Sequence, residues 1–468
     1  MTRSHRQERI TKKSKYGEYE ILKWVWFCLS EKLAGYRGVL LELLQKVGVK
    51  IGDQIRIKRN GEIYEGILMP RSELGDEKHI EIKLRTGYNI GIHVSPTIKI
   101  EKLGEGANPT FTQPSLPSEK PGLPKVSIIS TGGTIASRVD YRTGAVRPAL
   151  SASDLYAVVP ELSEIAVVKA EILFSILSEN MTPNHWSETA KTVARHIAEG
   201  VEGVVVAHGT DTMAYTSAAL SFALQDLPVP VLLVGSQRSS DRPSSDAALN
   251  LLYTVTAAAK APFAEVALAF RDSISDKAIA IHRGTKVRKC HTSRRDTFQS
   301  INAKPIAHVE EGKVTMLTED YRKRDPKRKL VLKPNFEEKI ALVKTHPGFN
   351  PKLIGWLVEE GYRGIILEGT GLGHVGTTCF NAIKQAVEKS MFVGMTSQCL
   401  WGRVDMKVYE TGRDLMAIGV VPLGDMLPET ALVKLMWAYG QTKSLDVVKN
   451  IMATNIAGEI SSRTFYNH

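Results

Sequence analysis

The sequence has few cysteines and no long apolar run. Cysteine accounts for only 4 of its 468 residues, and no two stand as a Cys-x-x-Cys pair. The cysteines are Cys28, Cys290, Cys379 and Cys399. This scatter indicates neither a zinc site nor a disulfide framework, and it favours a reducing, cytoplasmic setting. No stretch reaches the roughly 18 uninterrupted apolar residues expected of a membrane-spanning helix, so no membrane association is expected.

One short apolar segment lies near the N-terminus, at residues 21–29. Its sequence, ILKWVWFCL, contains Lys23, and Glu31 and Lys32 follow it where a signal peptide would have small residues at a cleavage site. The segment is therefore interpreted as the apolar stripe of a helix.

The formal net charge is +11, and residues 1–23 carry seven basic side chains against three acidic ones. Such an excess fits a protein that works close to RNA. A solvated basic tail, or a generally basic proteome, explains the same excess equally well.

The N-terminal 124 residues divide by pattern. Residues 1–48 are predicted to be a basic extension followed by a helix that stops at Gly48. Residues 49–104 alternate with a period of two and contain an Asn60-Gly61 turn, so five short strands and a small β-barrel are predicted. Residues 105–124 are rich in proline and predict an extended linker.

From Lys125 onwards the pattern is strand, loop and helix in repetition. The runs KVSIIS, GVVVAHG, VPVLLVG and AEVALAF are continuously apolar, which is typical of strands buried on both faces of a parallel sheet. A charged stretch at 319–330 precedes a second series that runs through GIILEGTG, MFVGMTSQC and AIGVVPLGDM. We therefore expect α/β domains at 125–335, with the catalytic site, and at 336–468.

Two Gly-Thr turns follow strands in this region. One contains Thr134, in STGGTIAS, and the other contains Thr210 and Asp211, in HGTDTM. Open parallel sheets bind ligands at the carboxyl ends of their strands. A phosphate-binding loop is disfavoured, because a third glycine and a Gly-Lys-Ser/Thr are both missing. An ordinary tight turn that caps the next helix explains either turn alone.

A threonine hydroxyl at such a turn needs help to act as a nucleophile. A lysine with a pKa lowered by burial could take its proton, and a carboxylate could orient that lysine. The segment GTKVRKCHTSRRDTFQS offers Lys286, Arg288 and Lys289. A solvated basic loop is the alternative interpretation of this segment.

Three of these segments together resemble the bacterial-type L-asparaginase family. They are TGGTIAS (131–137), HGTDTMAYT (208–216) and KCHTSRRDTFQS (289–300), and the resemblance extends over about 125–460. It implies a two-domain L-asparaginase-like α/β unit with parallel sheets, here preceded by the small β-barrel. It also implies a nucleophile, Thr134, assisted by Thr210, Asp211 and Lys289, with no metal at the site.

The same resemblance implies three substrate-binding residues. Tyr141 would lie on a flexible lid, while Ser178 and Glu179 would hold the α-amino and α-carboxyl groups of the substrate. Lys286, by contrast, would have no part in the site, so its replacement by methionine is expected to be nearly neutral.

The barrel, the linker and further segments resemble the D-subunit family of archaeal glutamyl-tRNA(Gln) amidotransferase, over roughly 36–464. The further segments are 237–250, 368–374, 395–415 and 424–437. The resemblance implies a homodimer through the asparaginase-like unit, bound to two E subunits as a heterotetramer. Those E subunits would bind Glu-tRNA(Gln), ATP and Mg²⁺, while this chain, without a cofactor, would take ammonia from glutamine or asparagine.

Two departures from these families stand out. Leu372 occupies the position at which free asparaginases carry an asparagine that reaches a neighbouring active site, and residues 1–35 match neither family. The open alternatives are a stand-alone L-asparaginase with an accessory barrel and a catalytically idle RNA-binding or scaffold protein.

Overall fold

The computed structural model describes residues 33, 35–71, 76–84, 89–105, 122–133, 137–139, 146–148, 155–156, 159–238, 245–275 and 277–464. Thr134, Tyr141 and the predicted basic head lie outside these residues, as does most of the predicted linker. The chain divides into two compact units. One comprises 1–112 with 139–147 and 241–244, and the other comprises 113–138, 148–240 and 245–468.

The N-terminal unit contains a helix and five antiparallel strands in its described part. These are α1 (Gly38–Val47), β1 (Gln54–Arg59), β2 (Glu62–Leu68), β3 (His79–Lys83), β4 (Asn89–His93) and β5 (Lys99–Gly104). The sheet order is β4-β3-β2-β1-β5, so the described pairings leave β4 and β5 at the edges. Helix α1 ends where Gly48 takes a left-handed conformation, with φ 71°.

The core of this unit forms between α1 and the sheet. Leu40 and Leu44 of the helix pack with alternate strand residues such as Ile55 and Ile57. The Asn60-Gly61 turn has positive φ at both residues, which matches the predicted hairpin.

The elements that come next, most of which belong to the second unit, are those of the first asparaginase-like half. Its strands are β6 (Lys125–Gly132), β7 (Ser137–Val139), β8 (Val146–Pro148), β9 (Val167–Ile176), β10 (Gly203–Ala207), β11 (Leu224–Gln225), β12 (Val231–Val234), β13 (Val266–Arg271), β14 (Ala278–Arg283), β15 (Val287–Lys289), β16 (Phe298–Ser300), β17 (Ala307–Glu310), β18 (Lys313–Met316) and β19 (Val331–Leu332). Its helices are α2 (Pro183–Ala198), α3 (Met213–Ala223) and α4 (Ala247–Lys260), with 3-10 turns at Pro160–Glu164 and Ser178–Asn180.

The central sheet of this half has the order β18-β17-β14-β13-β12-β10-β6-β9 in the described residues. The run from β13 to β9 is parallel, as the continuous apolar segments predict. Successive residues of β10 face opposite cores: Val205 packs with α4, and Val204 and Val206 pack with α2 and α3. Helices on both faces explain why these strands carry no polar alternation.

The sheet is mixed, which the apolar runs did not predict. Strands β14, β17 and β18 add to β13 in antiparallel fashion. The turn between β17 and β18 has positive φ at Glu311 and Gly312, a conformation that suits a two-residue hairpin. Such a hairpin needs no crossover helix, and so it extends the sheet at its edge.

The second half of this unit is a smaller parallel α/β layer. Its elements are β20 (Ile340–Lys344), α5 (Lys352–Glu359), β21 (Gly364–Gly369), α6 (Phe380–Glu388), β22 (Phe392–Ser397), α7 (Glu410–Ile418), β23 (Val421–Pro422), α8 (Pro428–Gln441) and α9 (Leu445–Ala453), with a 3-10 turn at Thr377–Cys379. The sheet order is β20-β21-β22-β23. The predicted α/β class is thereby confirmed.

Side chains from both halves meet in a buried contact. The Phe222 ring of α3 stacks on Trp437 of α8 with ring centroids 5.8 Å apart. A buried ion pair, Lys286–Asp425, also links the halves, with Nζ 2.7 Å from Oδ2. The two halves therefore share one core.

No helix in the described part of the chain is long and apolar enough to cross a membrane.

Candidate functional site

Three polar turns lie at one edge of the central sheet. The register pairs Ser130 with Ala207 and Gly132 with Ile176, so β6, β10 and β9 end side by side. The turn before Thr134, the Gly209–Asp211 turn and the Ser178 turn follow these three strand ends. Their convergence at the carboxyl edge is where an open parallel sheet binds its ligand.

The Gly132-Gly133 turn needs glycine at both positions. Their φ angles are 118° and 76°, and a Cβ on Gly132 would lie 2.1 Å from the Ile176 carbonyl oxygen. A Cβ on Gly133 would lie 2.8 Å from the Gly209 nitrogen. The turn is thus pressed against both neighbouring strand ends, and a side chain at either position would separate them. Thr134 itself is outside the described residues, and its role stays a prediction.

Lys289 joins the two polar residues of the second turn. Its Nζ donates hydrogen bonds of 2.8 Å to Thr210 Oγ1 and of 2.8 Å to Asp211 Oδ1. The Lys289 side chain is 14% exposed, whereas that of Asp211 is 67% exposed. The structure therefore brings together Thr210, Asp211 and Lys289, three of the four predicted catalytic residues.

The strand that carries Lys289 is held from both sides. Residue 289 pairs with Phe298 of β16, and alternation along β15 sends the Arg288 side chain the other way, to Glu429 at 3.0 Å. Beyond the strand, Gln237 Nε2 donates to the Thr292 carbonyl oxygen at 2.7 Å. These contacts explain why the Lys289 ammonium, on a flexible stem, has a defined position.

The Ser178 turn packs directly against the Thr210 turn. Ser178 is buried, and a Cβ added to Gly209 would lie 2.8 Å from the Cβ of Ser178. Thr212 Oγ1 donates to the Ser178 carbonyl oxygen at 2.6 Å. Glu179 is exposed. Ser178 thus lies beside the predicted catalytic residues, while substrate binding by Ser178, Glu179 and Tyr141, the last outside the described residues, stays a prediction.

Lys286 is not part of a solvated basic loop. Its side chain is 1% exposed and contacts Asp425, which is 0% exposed. Burial lowers the pKa of Lys286, and the Asp425 carboxylate opposes that shift. The expectation that Lys286→Met is nearly neutral for amide hydrolysis stays a prediction. For stability we expect a loss, because the variant removes the nearest cation of the buried Asp425 and leaves it only Arg403, at 3.8 Å.

A second buried ion pair lies close by within the second half. Lys434 Nζ contacts Glu459 Oε1 at 2.5 Å, with both side chains 0% exposed. Glu459 also accepts hydrogen bonds from the Ile456 and Ala457 backbone amides. The charges are therefore satisfied locally, and they belong to the scaffold.

Sequence reasoning did not identify a hydrogen-bond chain behind the Thr210 turn. It consists of His208, Thr216 and Trp186, all buried. Burial lowers the pKa of His208 to about 4, so its ring is neutral at physiological pH. The one available signal was the place of His208 in the sequence, directly before Gly209-Thr210-Asp211.

Leu372 lies half-buried in the loop after β21, and its carbonyl oxygen accepts a hydrogen bond from the Asp405 amide at 3.0 Å.

The part of the chain that the structure describes contains no group of three His, Cys, Asp or Glu side chains placed to hold a metal ion. The described site thus places the Lys289 side-chain nitrogen against the Thr210 hydroxyl, with the Asp211 carboxylate in position to orient it.

Family models match three parts of the chain. The "Asparaginase, N-terminal" model matches residues 125–322, the "Glutaminase/Asparaginase C-terminal domain" model matches 339–452, and the "GatD N-terminal domain" model matches 49–103. Among solved structures, the thermostable L-asparaginase from Thermococcus kodakarensis has a TM-score of 0.64 and 34% identity, covering 72% of this chain and 100% of that one. The fold and the site thus define an asparaginase-like protein.

Relatives extend the likeness to the N-terminal unit. The D subunit of glutamyl-tRNA(Gln) amidotransferase from Metallosphaera sedula is 53% identical over 439 residues, covering 93% of this chain and 98% of that protein. The one from Methanothermobacter thermautotrophicus is 50% identical, covering 92% and 98% respectively. The chain belongs to the D-subunit family of glutamyl-tRNA(Gln) amidotransferase.

Proposed function

We propose that this chain is the ammonia-supplying subunit of an amidotransferase that converts Glu-tRNA(Gln) to Gln-tRNA(Gln). It hydrolyses the side-chain amide of glutamine or asparagine. The observation that carries this proposal is the placement of Lys289 Nζ at 2.8 Å from both Thr210 and Asp211, beside the glycine turn that precedes Thr134. Family membership supports the coupling to tRNA. The relatives are named as D subunits of glutamyl-tRNA(Gln) amidotransferase, and this chain matches 98% of the length of each.

The proposed reaction has two steps. The Thr134 hydroxyl attacks the amide carbon, and its proton passes by way of Thr210 and Lys289 to the leaving nitrogen. The C–N bond then breaks and that nitrogen departs as ammonia. Water then attacks the resulting ester, losing its proton towards Thr210 and Lys289, and Thr134 leaves with a proton. Asp211 orients the lysine, and backbone N–H groups of the two glycine-containing turns stabilise the oxyanion.

The partner in this proposal is an E subunit, in a heterotetramer of two chains of each kind. This chain forms the central homodimer through its asparaginase-like unit. The E subunit binds most of the Glu-tRNA(Gln) and uses ATP and Mg²⁺ to activate its glutamyl group, while this chain holds no cofactor. A tRNA substrate supports a cytoplasmic location.

The experiment measures glutamine and asparagine hydrolysis by the purified chain, alone and with the E subunit and charged tRNA. We expect slow hydrolysis by the chain alone and acceleration when both are present, because a lid that the complex closes would complete the site. Equal rates in both conditions contradict the coupling.

A Thr134→Val variant tests the nucleophile in the same assay. Valine keeps the shape and removes the hydroxyl, so hydrolysis is expected to be abolished while circular dichroism is unchanged. Activity within about tenfold of the wild type rules Thr134 out as the nucleophile.

A stand-alone L-asparaginase is the second candidate, and the solved structures favour it. L-asparaginase I from Vibrio cholerae is 29% identical and covers 72% of this chain with a TM-score of 0.64. Each of these two solved structures matches 72% of this chain, whereas the D-subunit relatives match more than 90% of it. Equal rates with and without the partner would make this second candidate the better one.

A further inference from the structure

Three buried side chains form a hydrogen-bond chain that ends on the Gly209 carbonyl. The Trp186 indole Nε1–H donates to Thr216 Oγ1 at 3.1 Å. The Thr216 hydroxyl lies 2.9 Å from His208 Nε2, and His208 Nδ1 lies 2.7 Å from the Gly209 carbonyl oxygen. All three side chains are at most 6% exposed, so water does not compete for these bonds.

Each hydrogen bond in this series has one possible donor. A carbonyl oxygen can only accept, so the Nδ1 of His208 carries the proton that binds Gly209. Burial lowers the pKa of His208 to about 4, so the ring is neutral and its Nε2 must accept. The Thr216 hydroxyl, whose oxygen already accepts from Trp186, supplies that proton. The tautomer of His208 that carries its proton on Nδ1 therefore satisfies all three hydrogen bonds.

This restraint sets the orientation of the next peptide group. A trans peptide is planar, with its N–H directed opposite to its C=O, and the described residues contain no cis peptide bond. The Gly209 carbonyl is directed at the buried ring, so the Thr210 N–H is directed away from it. No described residue accepts a hydrogen bond from that N–H.

Gly209 makes an external restraint necessary. A Cβ at this position would lie 2.8 Å from the Ser178 Cβ, so the close packing of the two turns requires glycine. Glycine gives the adjoining peptide group unusual rotational freedom. If the peptide flipped, the Gly209 carbonyl oxygen would face the developing oxyanion. Its partial negative charge would repel the oxyanion where a hydrogen-bond donor is needed.

We propose that His208 is a positioning residue, which holds the Gly209–Thr210 peptide so that the Thr210 N–H faces the oxygen of the substrate amide. The proposal rests on the proposed function, since it concerns the oxyanion of amide hydrolysis. His208 acts through the backbone and does not touch substrate.

The first test reads the tautomer directly, without an activity measurement. Side-chain nitrogen spectra of the full chain labelled with ¹⁵N-histidine should show His208 neutral and protonated at Nδ1 between about pH 6 and 8. The spectrum of His208→Asn assigns the signal. A ring protonated at Nε2, or a charged ring in that range, overturns the proposal.

The second test uses glutamine hydrolysis by the full chain with its partner subunit. His208→Leu removes the donor, and we expect kcat to fall about 100-fold with KM changed less than about twofold, because the loss falls on the transition state. His208→Asn keeps an N–H near the Nδ1 position and should recover about tenfold of that loss. Thr216→Val, which keeps the volume of the side chain, should lower kcat about tenfold.

His282→Leu is the matched control. His282 is also buried, with its pKa lowered to about 4 by burial, but it contacts Ser300 and lies outside the proposed machinery. Its kcat should stay within about twofold of the wild type.

A folded His208→Leu protein with wild-type kcat, or one no slower than His208→Asn, overturns the positioning role alone. A wild-type complex that hydrolyses neither glutamine nor asparagine overturns the proposed function instead. If His208→Leu does not fold, the kcat of Thr216→Val decides, and a wild-type value there overturns the role.

Discussion

At the scale of single residues, two lysines three positions apart have opposite roles. Lys289 Nζ reaches Thr210 and Asp211, whereas Lys286 Nζ is buried against Asp425. Both belong to one basic segment, so composition alone cannot separate them. Their different partners predict different consequences for the same substitution.

Lys289→Met should lower kcat for amide hydrolysis by about 10² to 10⁴-fold, because the amine that serves the proton transfers is removed while the stem is kept. Steady-state kinetics on the purified protein measures this. Lys191→Met is the matched control, since Lys191 is exposed and pairs with Glu188 on the surface. A Lys289→Met protein as active as the control would remove Lys289 from the mechanism.

Lys286→Met should instead destabilise the protein. Removing one partner of a buried ion pair costs about 3–5 kcal/mol of unfolding free energy, since the remaining partner, here Asp425, loses its nearest opposite charge in a buried site. Urea unfolding compares this variant with Lys191→Met, for which a change of less than about 0.5 kcal/mol is expected. Similar midpoints for the two variants would show that the pair contributes nothing.

At the scale of elements, the glycine turn after β6 combines strain with close packing. Gly132 and Gly200 both have positive φ, 118° and 88°, but a Cβ at Gly200 meets nothing within 4 Å. Gly200→Ala should therefore cost only backbone strain, about 1 kcal/mol. Gly132→Ala adds a contact of 2.1 Å with the Ile176 carbonyl and should cost clearly more. Thermal unfolding of both variants measures the difference, and equal losses would contradict the packing argument.

The elements also show what the sequence could predict. Strands β6, β10, β12 and β13 are apolar on both faces because helices cover both, so continuous runs identified them. The role of Lys286 could not be read in this way, because its partner Asp425 is 139 residues away in the chain. The Thr210, Asp211 and Lys289 grouping followed from a family resemblance, whereas the His208 chain required coordinates, since no local pattern joins residue 186 to residue 208.

At the scale of the whole molecule, buried histidines predict acid sensitivity. Burial lowers the pKa of His208 and His282 from 6.5 to about 4, so between these values the unfolded chain binds more protons than the folded one. Stability is therefore full above about pH 6.5 and falls as the pH approaches 4. Each histidine should remove about 2 kcal/mol between pH 7 and pH 5.

Urea unfolding at these two pH values measures that loss. In His282→Leu the loss should be about 2 kcal/mol smaller than in the wild type, because one of the two groups no longer titrates. The same pH dependence in both proteins would mean that His282 is not held neutral in the folded state.

The N-terminal unit predicts a separable role. It has its own core of α1 and strand residues, so removal of residues 1–104 should leave the second unit folded and basal hydrolysis intact. Partner-dependent transfer to tRNA should weaken, because residues 1–104 contain none of the predicted catalytic or substrate-binding residues and are therefore available to serve the partner. Thermal unfolding and transfer assays compare the truncated and full chains, and undiminished transfer would assign the unit another purpose.

The Lys286–Asp425 pair also limits how proteins of this kind can be recombined. The cation lies in the first asparaginase-like half and the anion in the second. A gene fusion that joins the first half of one homologue to the second half of another must carry both members of the pair, or replace both with apolar side chains. A crossover near residue 336 that inherits only one of them would leave a buried side chain without its nearest opposite charge, so the two halves must be exchanged as a matched set.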